Sequence, residues 1–171
     1  MNEMDSTPRE EAGREAPTKV LGPAFAAVMG RELGRVEEEV RAFSREEELW
    51  HVPAGVRNSA GTLALHLAGN LEHFVGAVLG GTGYVRDREE EFGARDLPAH
   101  EVIRRIRACR ERVVATLEGM DDAFLLAPYP GRMPPFMAPG APAAAFLTHL
   151  TWHLGWHLGQ MNYVRRITAG G

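Results

Sequence analysis

Cysteine is nearly missing from this chain of 171 residues: Cys109 stands alone, so no internal disulfide can form. Lysine is equally scarce. Lys19 is the single one and precedes the region with helical patterning, so Schiff-base chemistry has no candidate nucleophile in the folded part. No apolar run approaches the ~18 residues needed to cross a bilayer, and the first residues, MNEMDSTPREEAGREAPTK, lack the apolar stretch of a secretory signal. A soluble, cytoplasmic protein without a membrane partner is therefore expected. A concentrated basic surface is also lacking. The net charge is -4 with both signs interspersed, which argues against a nucleic-acid partner. The densest basic run, Arg104, Arg105, Arg107, Arg110 and Arg112, reads as the solvated side of a helix. Alternating strand patterns and internal repeats are missing too, which points to an all-α fold.

What is present is enough apolar side chain, 44% of residues, to bury one sizeable core. Residues 1–20 are polar, contain Pro8 and Pro17, and read as a disordered tail; 21–171 read as one domain. A first helix starts near Pro23 and carries Val36, Val40 and Phe43 at helical spacing. SREEELW offers a capping box, Ser44 with Glu47, for a short further turn. Asn58 and Ser59 are suitable caps for a second helix, TLALHLAGNLEHFVGAVLGG, which Gly80 and Gly81 end. A long charged loop follows, and its Tyr84 and Phe92 suggest that it folds back over the bundle. The third helix runs from about Ala99 to Glu118 with Val102, Ile106, Cys109, Val113 and Leu117 inward, which makes Cys109 a buried small hydrophobe rather than a nucleophile. The stretch 121–142 holds six prolines and two glycines and must cross irregularly to a last helix that starts near Pro142 and ends near Arg166. Four main helices make a four-helix bundle the expected architecture.

The last helix carries the chemistry. In THLTWHLGWHLGQMNYVRR, His149, His153 and His157 recur every four residues. Four residues rise about 6 Å and stay on one face, so neighbouring members can converge on one ion; eight residues rise about 12 Å, so the outer two cannot. The usable pairs are His149 with His153 or His153 with His157. A third ligand must come from another helix, and His66, mid-helix in TLALHLAGN, is the best placed, sharing its face with Asn70 and His73. In a simply alternating bundle the second and fourth helices run parallel and face each other across the core. The last helix is apolar over most of its circumference, with leucines on one side and Trp152, Trp156 and Tyr163 on the other, which implies burial all round. Three neutral imidazoles suit zinc, nickel or a similar divalent ion and leave a coordination position open. Other metal motifs fail. There is no HExxH, and Glu-x-x-His occurs once, at Glu48 to His51, where a di-iron bundle needs two.

A mid-helix histidine in TLALHLAGNLEHFVGAVLGGTGYVRDREEEF, followed by HLTWHLGWHLGQMNYVRR, resembles the DinB/YfiT-like family of bacterial metal-binding four-helix bundles. The likeness spans nearly all of the chain after the tail, and H-x-x-x-H-x-x-Q is its most specific part. It implies the metal ligands His66, His153 and His157, a helix order of up, down, down, up with a long crossover connection, and a homodimer. It also implies metal-dependent transfer chemistry with a low-molecular-weight thiol such as bacillithiol or mycothiol; the metal expected at three imidazoles is zinc or nickel ahead of iron or manganese. Asn70, His73, Tyr84 and His149 are then pocket candidates, for orientation or proton transfer. The expected function is metal-dependent thiol transfer to an electrophilic substrate, or metal-assisted hydrolysis. The competing expectation is a noncatalytic metal- or ligand-binding stress-response protein, or a dimeric scaffold.

Overall fold

The computed structural model describes residues 16–169, so the tail expectation for residues 1–15 lies outside the described residues. The remainder of that tail is tied down. The Thr18 carbonyl accepts from the Asp122 amide at 2.8 Å, and the amides of Val20 and Leu21 each donate to Asp122 Oδ1 at 2.9 Å.

Four long helices carry the fold: α1 (Leu21–Arg41), α3 (Ala60–Leu71, prolonged by a π-helical turn over Glu72–Ala77), α5 (Ala99–Gly119) and α7 (Ala143–Ala169). Three single-turn pieces lie between them: α2 (Glu46–Trp50), α4 (Arg88–Gly93) and α6 (Asp122–Leu126). No strand occurs among the described residues. Local chemistry explains most boundaries. Ser59 Oγ accepts from the Thr62 amide at 3.1 Å at the start of α3, Asp87 caps α4 through the Glu90 amide at 2.8 Å, and Asp121 caps α6 through the Phe124 amide at 2.7 Å. The capping box expected at Ser44 does not form: α2 starts one residue later, with Arg45 at the cap position and no side-chain cap. Arg45 instead reaches Glu48 at 2.9 Å, which takes the place of the reciprocal bond.

Packing follows a square in which α1 lies beside α5 and α7, and α3 lies beside the same two. Chain neighbours α1 and α3 are thus diagonal, as are α5 and α7. This corrects the simple alternating bundle: the second and fourth main helices do not face each other across the core but pack side by side. The long connections make that order possible, since residues 120–142 can cross the end of the bundle. That crossing is clipped at both ends, by Tyr129 N to Ala141 O at 3.0 Å and Ala143 N to Ala127 O at 2.9 Å.

The buried side chains form one contiguous cluster, with Met29, Leu33 and Val36 from α1, Leu63, Leu67 and Leu71 from α3, Ile106, Cys109 and Val113 from α5, and Phe146, Leu150 and Leu154 from α7. Every residue of α3 is buried, because α2 and α4 cover the sides that α5 and α7 leave. The last helix behaves otherwise. Trp152 (57% exposed), Trp156 (55%) and Tyr163 (68%) face solvent, so the expectation that α7 is buried all round is wrong. A corner helix with neighbours on two sides covers one face only, and its aromatic flank lies on the other.

Candidate metal centre

Two turns of α7 and the middle of α3 supply the site. His153 and His157 are one turn apart on α7 and half-buried, while His66 on α3 is 5% exposed. The adjacency of α3 and α7 brings the rings together: His66 Nε2 lies 3.4 Å from His153 Nε2, which lies 3.1 Å from His157 Nε2. Among the described residues these three are the group able to hold a metal ion, with donor atoms all within 4.8 Å of one another. Nitrogens each ~2.05 Å from one tetrahedral ion would stand roughly 3.3 Å apart. The two Nε2 separations fall on either side of that value, and the third pair lies within 4.8 Å, so the donors stand at the spacing of a group that could hold a divalent ion.

The outer nitrogens are also engaged. His157 Nδ1 lies 2.7 Å from Gln160 Oε1, one turn further along α7. An amide oxygen only accepts, so the ring proton sits on Nδ1 and Nε2 is left bare toward its partners. The glutamine of H-x-x-x-H-x-x-Q thus has a physical role in this chain, as the acceptor that orients the final histidine. On the other helix His66 Nδ1 faces Glu91 Oε2 at 3.0 Å, with both side chains about 5% exposed. Residues 30–161, which include every residue of this constellation, match the DinB superfamily.

The chain belongs to the DinB superfamily.

No curated protein matches the sequence. Membership in this metal-binding family and the proximity of His66, His153 and His157 agree on one candidate metal site.

Electrostatics keep His153 and His157 in the neutral form that a ligating imidazole needs. Burial pushes the His153 imidazolium down to about pKa 3, aided by the adjacent His157 and His66. Burial also lowers His157, partly opposed by its bond to Gln160. Burial works against ionisation of Glu91, but hydrogen bonds from Arg86 and His66 outweigh it and hold the carboxyl below its usual range. A consequence can be measured on the metal-free protein. His153 and His157 bind protons more readily unfolded (about 6.5) than folded, so their contribution to stability is present above pH 6.5 and is lost as pH falls below it. The lowered carboxylates act only below about pH 4.3, which leaves the window from pH 7 to 5 to the histidines. The metal-free melting temperature is expected to fall across that window by calorimetry, and to fall less in His153→Asn. An unchanged or rising value would contradict the buried neutral state.

The other expected pocket residues divide. Asn70 lies one turn beyond His66, is buried, and its Oδ1 has no hydrogen-bond partner. His149 extends the α7 series, but its ring packs against Phe136 (4.7 Å between centroids), Trp152 (5.7 Å) and Phe146 (6.1 Å). It stands 6.0 Å from the His153 ring, outside the donor cluster, and this settles which of the two histidine pairs converges with His66. His73 packs edge-on against Phe74 at 4.7 Å, and burial and Arg86 lower its pKa. Tyr84 lies on the Glu91 side of the site. It lines a cavity of about 240 Å³ with Glu72, Glu91, Arg105 and Arg112, whose lining includes no histidine.

Two residues of the constellation escaped the reading of the sequence. Arg86 and Glu91 lie in the charged loop, where Arg86 Nε donates to Glu91 Oε1 at 2.6 Å and its Nη2 to Oε2 at 2.7 Å. Their only sequence signal is a five-residue separation, which any of several arginines and glutamates in VRDREEEF nearly matches.

Proposed function

We propose that this DinB superfamily chain is an enzyme that holds a divalent ion at His66, His153 and His157, zinc or nickel ahead of iron or manganese, and activates a low-molecular-weight thiol or water for attack on an electrophilic small molecule. The observation that supports it is the convergence of three Nε2 atoms, with neighbouring separations of 3.4 and 3.1 Å. Imidazole donors suit zinc, nickel and iron, and three of them leave a position for an outside ligand. A bound divalent ion would supply a lowered pKa for that thiol or water, near neutrality.

The protein's own groups do the remainder. His66, His153 and His157 hold their Nε2 atoms in place, and Gln160 keeps the His157 proton on Nδ1. The unpartnered Asn70 Oδ1 is an acceptor that can orient a donor group of the substrate. Phe136 (66% exposed) against His149, and Phe92 against His66 at 4.9 Å, offer aromatic surface for an apolar electrophile.

The test is turnover with bacillithiol, mycothiol and glutathione against a panel of alkyl halides and epoxides, with the protein loaded in turn with zinc, nickel and manganese. The expected result is consumption of one thiol that a chelator abolishes and added metal restores. Tight stoichiometric metal without turnover of any thiol or of hydrolysable esters would overturn the catalytic reading in favour of a metal-binding protein.

A further inference from the structure

Three glutamates follow one another in REEEF, and the fold treats them differently. Glu89 and Glu90 lie in solvent, whereas Glu91 is 5% exposed beneath the α3 surface. Burying a carboxylate is costly unless it is paired and its lone pairs are filled. Here they are filled. Arg86 donates to both oxygens, at 2.6 and 2.7 Å, and Oε2 also faces His66 Nδ1 at 3.0 Å. The neighbouring helix is shaped for it: a Cβ on Gly69 would stand 2.2 Å from Glu91 Oε1, so only glycine there leaves room for the carboxylate. The π-cloud of Phe74 lies 5.8 Å from the Arg86 guanidinium, and Phe92, next to Glu91, packs on the His66 ring.

We infer that Glu91, braced by Arg86 and given space by Gly69, is a positioning residue: it holds the His66 proton on Nδ1 and thereby presents a bare Nε2 to His153 and His157. The inference rests on the proposal that these histidines are the metal ligands. Arg86 Nη2, 3.3 Å from His66 Nδ1, is the competing donor at that nitrogen. Geometry and charge favour the carboxylate. Of the two contacts at Nδ1 the one to Oε2 is the shorter, 3.0 against 3.3 Å, and an Nδ1 without a proton would set its lone pair against that carboxylate oxygen. Carboxylates that accept from the second nitrogen of a ligating histidine fix its tautomer and ring orientation and raise its basicity, and removing one typically weakens metal binding by about 10–100-fold.

The experiment has two arms. In the first, the metal-free full-length protein is labelled with ¹⁵N-histidine and long-range ¹H–¹⁵N spectra are recorded, with His66 assigned by its loss in His66→Asn. The expected pattern is a protonated Nδ1 and a bare Nε2; the reverse tautomer in the wild type overturns the inference without recourse to any variant. In the second, zinc affinity is measured by competition with a chromogenic chelator for the wild type, Glu91→Gln, Glu91→Ala, Glu89→Ala and His153→Ala. Glu91→Ala should bind about 10–100-fold more weakly. Glu91→Gln, whose amide oxygen can still accept from Nδ1–H, should lose less, and Glu89→Ala should match the wild type. Wild-type affinity in Glu91→Ala would overturn the inference while leaving the metal site standing. Equal, negligible binding by the wild type and His153→Ala would instead bring down the metal proposal, and the tautomer measurement would still decide what Glu91 does to His66.

Discussion

Replacing His153 by alanine is expected to remove the metal from the protein. Its Nε2 stands between the other two, 3.4 Å from His66 and 3.1 Å from His157, so it belongs to both neighbouring pairs of the cluster. Without it, one ligand remains on α3 and one on α7, and no pair within a single helix survives to pre-organise the site. The fold should tolerate the change. His153 is half-buried, its apolar neighbours on α7, Leu150 and Leu154, keep their places in the core, and alanine favours the helix. Elemental analysis of untagged protein should find about one equivalent of a divalent metal in the wild type and almost none in the variant, with unchanged far-ultraviolet dichroism. Full retention of metal by His153→Ala would end the assignment, and metal-dependent turnover should vanish with the metal.

Truncating Phe146 to alanine is expected to produce the largest loss of stability. The ring is fully buried where α7 meets the end of α3 and the proline-rich crossing. Phe74 meets it edge-on at 5.0 Å, Tyr129 at 4.8 Å, and the His149 ring stacks parallel to it at 6.1 Å. Tyr129 in turn donates from its hydroxyl to the Phe74 carbonyl at 2.7 Å, so one phenyl ring supports a tie between the crossing and the π-helical turn. Phe→Ala in a core costs about 3–5 kcal/mol through lost burial and the cavity left behind. In a chain of this size each kcal/mol lowers the melting temperature by about 2–4 °C, so a drop of roughly 6–20 °C should appear by calorimetry. A change below about 1 kcal/mol would show that the crossing is not anchored there. Metal binding should persist below the new transition, since none of the three metal-site histidines touches Phe146 through an aromatic contact.

The two variants separate parts of the molecule that were unequally visible in the sequence. The inner face of α5, Val102, Ile106, Cys109, Val113 and Leu117, is buried as its spacing requires. Ser59 caps α3 as its position before the apolar run suggests. Single-turn pieces such as α4 and α6 went unread because six or fewer residues hold too little of a 3.6-residue period to be told from a loop, even where Asp87 and Asp121 cap them. The side-by-side packing of α3 and α7 was also out of reach. Periodicity gives the angle of a face about its own axis and says nothing about which helix covers it.

By itself the sequence determined that the fold is all-helical, with no helix among the described residues long and apolar enough to span a membrane, that a histidine series lies on its last helix, and that one further histidine waits mid-helix elsewhere. Those are local facts, set by spacing and propensity along the chain. Only the tertiary structure decided that His66 is brought against His153 and His157 while His149 stays outside the cluster, that Trp152, Trp156 and Tyr163 face outward, and that of three consecutive glutamates Glu91 is the one drawn to His66. Each of those outcomes depends on which element packs against which, and a carboxylate or an imidazole acquires its role from a partner many residues away in the chain.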